Sequence, residues 1–130
     1  MQYPEFIEFI NGYDFICLNE TKTNDFDTVQ IPGYTFKFQN RKSKSNVKSG
    51  GIAFGYRKYL ESYVSQIDTN SVHVFWFKIS GNYLKLDEDL LVGNIYIPPE
   101  NSIYTVQEVF NELEQEYLNL CSTYKYIVIW

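Results

Sequence analysis

The sequence holds little of what self-contained chemical sites are usually built from. It has two cysteines, Cys17 and Cys121, with no metal-ligand spacing and no paired framework around them. That excludes a zinc module and a disulfide scaffold. Both are expected to be free thiols in the core of an intracellular protein, one in a buried strand and one at a helix end. Histidine occurs once, as His73 in mid-strand between Val72 and Val74 with no Asp before it. It reads as a structural side chain rather than a general base. There is no Gly-x-Ser-x-Gly and no P-loop, so serine hydrolase and Walker-type nucleotide chemistry are set aside. No apolar run approaches the ~20 residues of a membrane span, and no leader is expected. Repeats and low-complexity linkers are absent too. With 45% hydrophobic content, residues 1–130 are expected to form one core and one domain.

Aromatic residues are plentiful, 18% of the chain and mostly Tyr and Phe, which suits a strand-rich protein. Net charge is −5, which argues against non-specific binding to nucleic acid, but the charge is unevenly spread. Residues 28–60 carry seven basic side chains (Lys37, Arg41, Lys42, Lys44, Lys48, Arg57, Lys58) and no acid. The rest of the chain sets four basic residues against sixteen acids. Such asymmetry fits one phosphate-facing edge on an acidic body.

Taken in order, residues 4–11 open on Pro-Glu and repeat Phe6, Phe9 and Ile10 at helical spacing. A short amphipathic helix closed by Asn11-Gly12 is expected. Residues 15–18 are a brief apolar run, the pattern of a strand buried on both faces, and they end at Glu20. Residues 21–30 read as loop or a single helical turn, and 31–33 as a turn. Residues 34–39 alternate Tyr34, Phe36, Phe38 against Thr35, Lys37, Gln39 and should form a half-buried strand. The basic, serine-rich loop 40–49 leads to Gly50-Gly51, which permits unusual backbone angles, and to a strand at 52–56. Residues 63–66 suggest an edge strand. A strong strand at 72–79, a turn at 81–89 and a strand at 90–97 suggest a hairpin that Pro98-Pro99 ends. Thr105 and Glu108 make a capping box for a helix whose apolar face is Val106, Val109, Phe110, Leu113, Tyr117 and Leu120. Residues 126–130 read as another buried strand.

The run ending in Asn19-Glu20-Thr21-Lys22 resembles the Gln-Glu-Thr-Lys signature of the endonuclease/exonuclease/phosphatase superfamily. Ile31-Pro32-Gly33-Tyr34, Ser49-Gly50-Gly51-Ile52-Ala53 and Gly93-Asn94-Ile95-Tyr96-Ile97-Pro98 follow in the family's order. The chain is most similar to the apurinic-type endonuclease domains of non-LTR retrotransposons, over nearly its whole length. The resemblance implies an α/β sandwich of two facing mixed sheets flanked by helices, DNase I-like. It also implies truncation at both ends. An upstream strand with a metal-site Asn, a Gly-Asp-Phe-Asn segment and a later Ser-Asp-His are not among the 130 residues. One sheet is expected to be mostly present and the other hardly begun.

The same resemblance implies a Mg2+-dependent DNA-nicking enzyme, with Mn2+ as an alternative ion. Its parent polypeptide would carry a reverse transcriptase and act in the nucleus. Glu20 is the candidate metal ligand, though a Glu that merely marks a strand leaving the core reads equally well. Tyr96 matches the family's active-site Tyr at the scissile phosphate, and Asn94 an Asn of the same motif. Lys37, Arg41, Lys42, Lys44 and Lys48 are candidate contacts to the duplex DNA backbone, against the reading of a solvated hairpin tip. Asn19 replaces the usual Gln, and Pro99 stands where relatives often have Asn. Without the C-terminal acids and His, the isolated chain is expected to be inactive. The competing functions are a superfamily phosphoesterase on a non-DNA substrate and a non-catalytic nucleic-acid-binding remnant.

Overall fold

A computed structural model describes residues 4–19, 21, 30–39, 51–69, 71, 73–97 and 106–130. The chain is α/β and divides into two compact units, residues 1–62 and 63–130. In the first, α1 (Pro4–Ile10) precedes β1 (Phe15–Asn19), β2 (Tyr34–Gln39) and β3 (Ile52–Arg57), and a 3-10 helix (Lys58–Tyr63) follows. The sheet is antiparallel in the order β1-β3-β2. The central strand β3 is buried from Ile52 through Tyr56. Ile10, Ile16, Ile31 and Tyr34 form the core beneath α1, with Phe6, Ile7, Leu18 and Phe36 packed around it.

Two positions in this sheet require glycine for different reasons. Gly51 enters β3 with φ of 96°, a left-handed backbone that side chains disfavour. Gly55 lies opposite Phe36, whose ring would stand 2.4 Å from an added Cβ. At the other end, Arg57 ties the strand to the C-terminus of α1. Its guanidinium lies 4.5 Å from the Tyr34 ring centroid, donates to the Asn11 carbonyl and reaches Asn11 Oδ1 at 3.4 Å. Cations are favoured at helix C-termini, where main-chain carbonyls lack partners. Arg57, counted with the basic stretch, is therefore engaged in holding α1.

In the second unit, β4 (Val64–Ile67), β5 (Val74–Ile79), β6 (Leu90–Ile95) and β7 (Tyr126–Ile129) form a four-stranded sheet in chain order. The first three run antiparallel, while β7 is parallel to β6. Parallel neighbours need a long crossover, which α3 (Val106–Cys121) supplies. Val109 and Leu113 of α3 pack on Val74, Trp76 and Leu91, with Ile95, Ile97, Leu120 and Ile127 alongside. Each such buried aliphatic contributes roughly 1.5–3 kcal/mol, so this face anchors the unit. The hairpin between β5 and β6 holds one helical turn, α2 (Gly81–Leu84), with Ser80 Oγ accepting from Asn82 N–H and Asp89 accepting from Gly81 N–H. Among the described residues, no helix is long and apolar enough to cross a membrane.

The β2, β3, β4, β5 and β6 strands and the hairpin agree with the sequence reading, and the alternation expected in β2 shows as buried Tyr34 and exposed Lys37, the other four residues being half-buried. Other details differ. Phe9 is 71% exposed, and Ile7 takes its place beside Phe6, because two turns of helix present only a narrow stripe to the sheet. β1 is an edge strand of its sheet with only Ile16 fully buried; the doubly covered strand is β3. On α3, Phe110 and Tyr117 flank the packed stripe and stay exposed, as does Cys121 at its last turn. β7 is likewise a half-exposed edge among the described residues, and β6 stops at Ile95. Both sheets are well represented, with three and four strands, where one had been expected to be hardly begun. Thr105 and Val72 lie outside the described residues.

Candidate functional site

Most of the second unit's interior is apolar, which makes its exceptions informative. The buried polar residues among those described are Ser71, His73 and Asn94. All three gather at one end of the β5–β6 pair. Phe75 and Asn94 are opposed in the register, and Tyr96 N–H donates to the His73 carbonyl at 2.9 Å, which extends the ladder to a His73–Tyr96 pair. Directly opposed residues on antiparallel strands share a face. His73, Phe75, Asn94 and Tyr96 therefore lie together, on the face opposite α3. Ile95 and Ile97 alternate with them and pack on the α3 side.

The parallel strand adds one more residue. Trp130 N–H donates to the Gly93 carbonyl, and Ile95 N–H donates to the Trp130 carbonyl, at 2.9 and 3.3 Å. That bracket sets Trp130 beside Asn94, on the same face, with the residue 71% exposed. The result is a row of Trp130, Asn94 and Tyr96 with His73 across from Tyr96. Asn94 is 1% exposed, whereas Tyr96, just past the end of β6, is half-buried. The half-buried phenol of Tyr96 can donate to an oxygen ligand, with the buried Asn94 beside it on the same face.

Ser71 and His73 were not singled out as site residues by sequence. His73 stands immediately before β5 rather than in mid-strand, and its N–H lies 3.2 Å from Ser71 Oγ. The usable signal was a polar Ser-x-His step before an apolar run, which counting back from the hairpin sets opposite Tyr96.

The remaining candidates lie elsewhere. Glu20, Arg41, Lys42, Lys44 and Lys48 fall outside the described residues. Lys37 is described, and is exposed in the middle of β2 opposite Phe54. Cys17 in β1 is no nucleophile, because burial pushes its thiol up to about 11 and keeps it protonated at neutral pH. Among the described residues, no group of three or more His, Cys, Asp or Glu is placed to hold a metal ion. A cavity of about 540 Å³ lies at Asp68, Thr69, Glu112, Gln115, Glu116 and Asn119. Its carboxylates disfavour a phosphate, and Glu116 is engaged by the Trp76 indole N–H at 2.7 Å. No protein family, no curated protein and no solved structure matches the chain.

Proposed function

We propose that the chain is part of a Mg2+-dependent phosphodiesterase of the endonuclease/exonuclease/phosphatase type, one that nicks duplex DNA for a retroelement. In this reading the two sheets belong to a DNase I-like sandwich. The observation that carries it is the buried polar group of Ser71, His73 and Asn94 beside Tyr96. Each of these residues has an interaction partner, and because a buried polar group that loses its partner costs about 1–3 kcal/mol, their gathering at one sheet end supports a built polar site. Asn94 and Tyr96 are also the motif residues of the superfamily resemblance.

Mg2+ binds hard oxygen donors, often one or two carboxylates with water and substrate phosphate. Glu20 would hold it, and when bound the ion neutralises phosphate charge. The chain's own residues do the positioning. The Tyr96 hydroxyl donates to a non-bridging phosphate oxygen, where it stabilises developing charge. Asn94, two residues away and so on the same face, helps to set the direction of Tyr96. Lys37 and the lysines and arginine of residues 41–48 hold the backbone without reading sequence. The role proposed for these residues is to bind and orient the phosphodiester.

Binding is the test. Duplex oligonucleotide titrated into the chain with Mg2+ should bind more weakly as salt rises. Replacing Lys37, Arg41, Lys42, Lys44 and Lys48 with Ser should flatten the slope by roughly 0.9 log unit per lost contact. Glu20→Ala should remove the Mg2+ dependence, and Tyr96→Phe should weaken phosphodiester binding. No binding, or binding indifferent to all these changes, would discard the nuclease reading. A preference for soluble lipid headgroups over DNA would move the substrate to another phosphoester.

A further inference from the structure

His73 has no place in the reaction just described, yet its position is closely specified. It is 5% exposed and immediately precedes β5, the most buried strand of its unit. Its N–H meets Ser71 Oγ, and its carbonyl receives the N–H of Tyr96. As opposed residues on one face, the two side chains start from Cβ atoms ~4.5–5.5 Å apart. Tyr96 sits just past the last residue of β6, and its bond to the His73 carbonyl carries the pairing one step further. A phenol that must meet a phosphate oxygen depends on a fixed direction.

We propose that His73 is a positioning residue for Tyr96. Its carbonyl fixes the Tyr96 main chain, and its imidazole sets the phenol's direction from across the strand pair. Ser71 in turn fixes the His73 main chain, so a Ser71–His73–Tyr96 relay connects the loop before β5 to the candidate phosphate site. His73 takes no proton from water here. The proposal rests on the phosphodiesterase reading for its purpose, but not for its geometry.

The two can be tested separately. In the 130-residue chain carrying ring-labelled tyrosine, the Tyr96 resonance is identified by its loss in Tyr96→Phe. Replacing His73 by Ala should shift and broaden that resonance while leaving the β6 amide resonances in place. His73→Gln, which keeps polar atoms near the same reach, should restore it substantially. Affinity for a thymidine dinucleotide phosphodiester with Mg2+ should fall about 5–10-fold in His73→Ala, the scale of one hydrogen bond, and recover in His73→Gln. Should His73→Ala unfold, His73→Phe fills the space without polar atoms and is expected to displace the Tyr96 resonance equally. A Tyr96 resonance unmoved in a folded His73→Ala or His73→Phe protein would overturn the proposal. If the unsubstituted chain binds no phosphodiester, the function fails, yet the ligand-free Tyr96 resonance still decides the role of His73.

Discussion

The Tyr34 hydroxyl lies 2.6 Å from the Ile10 carbonyl and 2.7 Å from the Tyr13 carbonyl, closing the end of α1 onto the first sheet. Tyr34→Phe keeps the ring and the Arg57 stack but removes the hydroxyl these two carbonyls share, leaving the Ile10 carbonyl with the Tyr13 N–H alone. It should cost roughly 1–2 kcal/mol, read as a lower urea midpoint. Glycine substitutions provide a comparison between sites. An alanine Cβ at Gly93 would stand 2.5 Å from the Trp76 ring, and at Gly55 it would stand 2.4 Å from Phe36. The distances are alike, but Trp76 is fully buried under α3 whereas Phe36 is half-buried and has room to turn. Gly93→Ala should therefore destabilise by about 1–3 kcal/mol, and Gly55→Ala by distinctly less. Equal midpoints for the two variants would contradict this ranking.

At the scale of elements, β7 is held from outside its ladder. Asp87 accepts from Lys125 Nζ at 2.7 Å and from the Tyr126 hydroxyl at 2.6 Å. These two bonds, Lys125 first, bring the Asp87 carboxyl from 3.8 down to about 2, while Lys125 is raised above its ordinary value of 10.5 by its own interactions with Asp87 and then Tyr126. A carboxyl lowered by folding adds stability above its unfolded value and loses it as pH falls through the folded one. A raised lysine adds stability below 10.5 and loses it as pH rises further. The Tm difference between the unsubstituted chain and Asp87→Asn should thus hold near neutrality and shrink between pH 4 and 2. Elements themselves were largely legible. Period-two alternation located β2, and the apolar run and turn residues located the β5–β6 hairpin. What the pattern could not reveal was which strand would be central. Residues 15–18 and 126–130 are as apolar as β3, but burial follows from neighbours, and both are edges of their sheets among the described residues. Phe110 and Tyr117 misled for a related reason, since helical spacing admits flanking positions that a sheet does not cover.

For the whole molecule, the site was legible where local motif sufficed and hidden where it depended on pairing. Asn94 and Tyr96 stand in one short segment. Ser71 and His73 join them only through the register of two strands linked by a hairpin. The edge strand β7 has another consequence at this scale. Val128, Ile129 and Trp130 are exposed on it, and the strand itself carries no charge or proline to discourage pairing with another chain. Concentration-dependent sedimentation is expected, and Val128→Lys should diminish it without lowering the urea midpoint. A purely monomeric chain at high concentration would count against that expectation.

The two tryptophans occupy opposite faces of one sheet. Trp76 lies against Gly93 beneath α3 with its indole N–H on Glu116, and Trp130 stands open beside Asn94. The protein therefore carries a pair of optical reporters. Trp76 should emit toward the blue and resist acrylamide, while Trp130 should emit toward the red and be quenched readily. A molecule arriving at the Asn94–Tyr96 face should dim the red component alone, and loosening of α3 should draw the blue component toward the red.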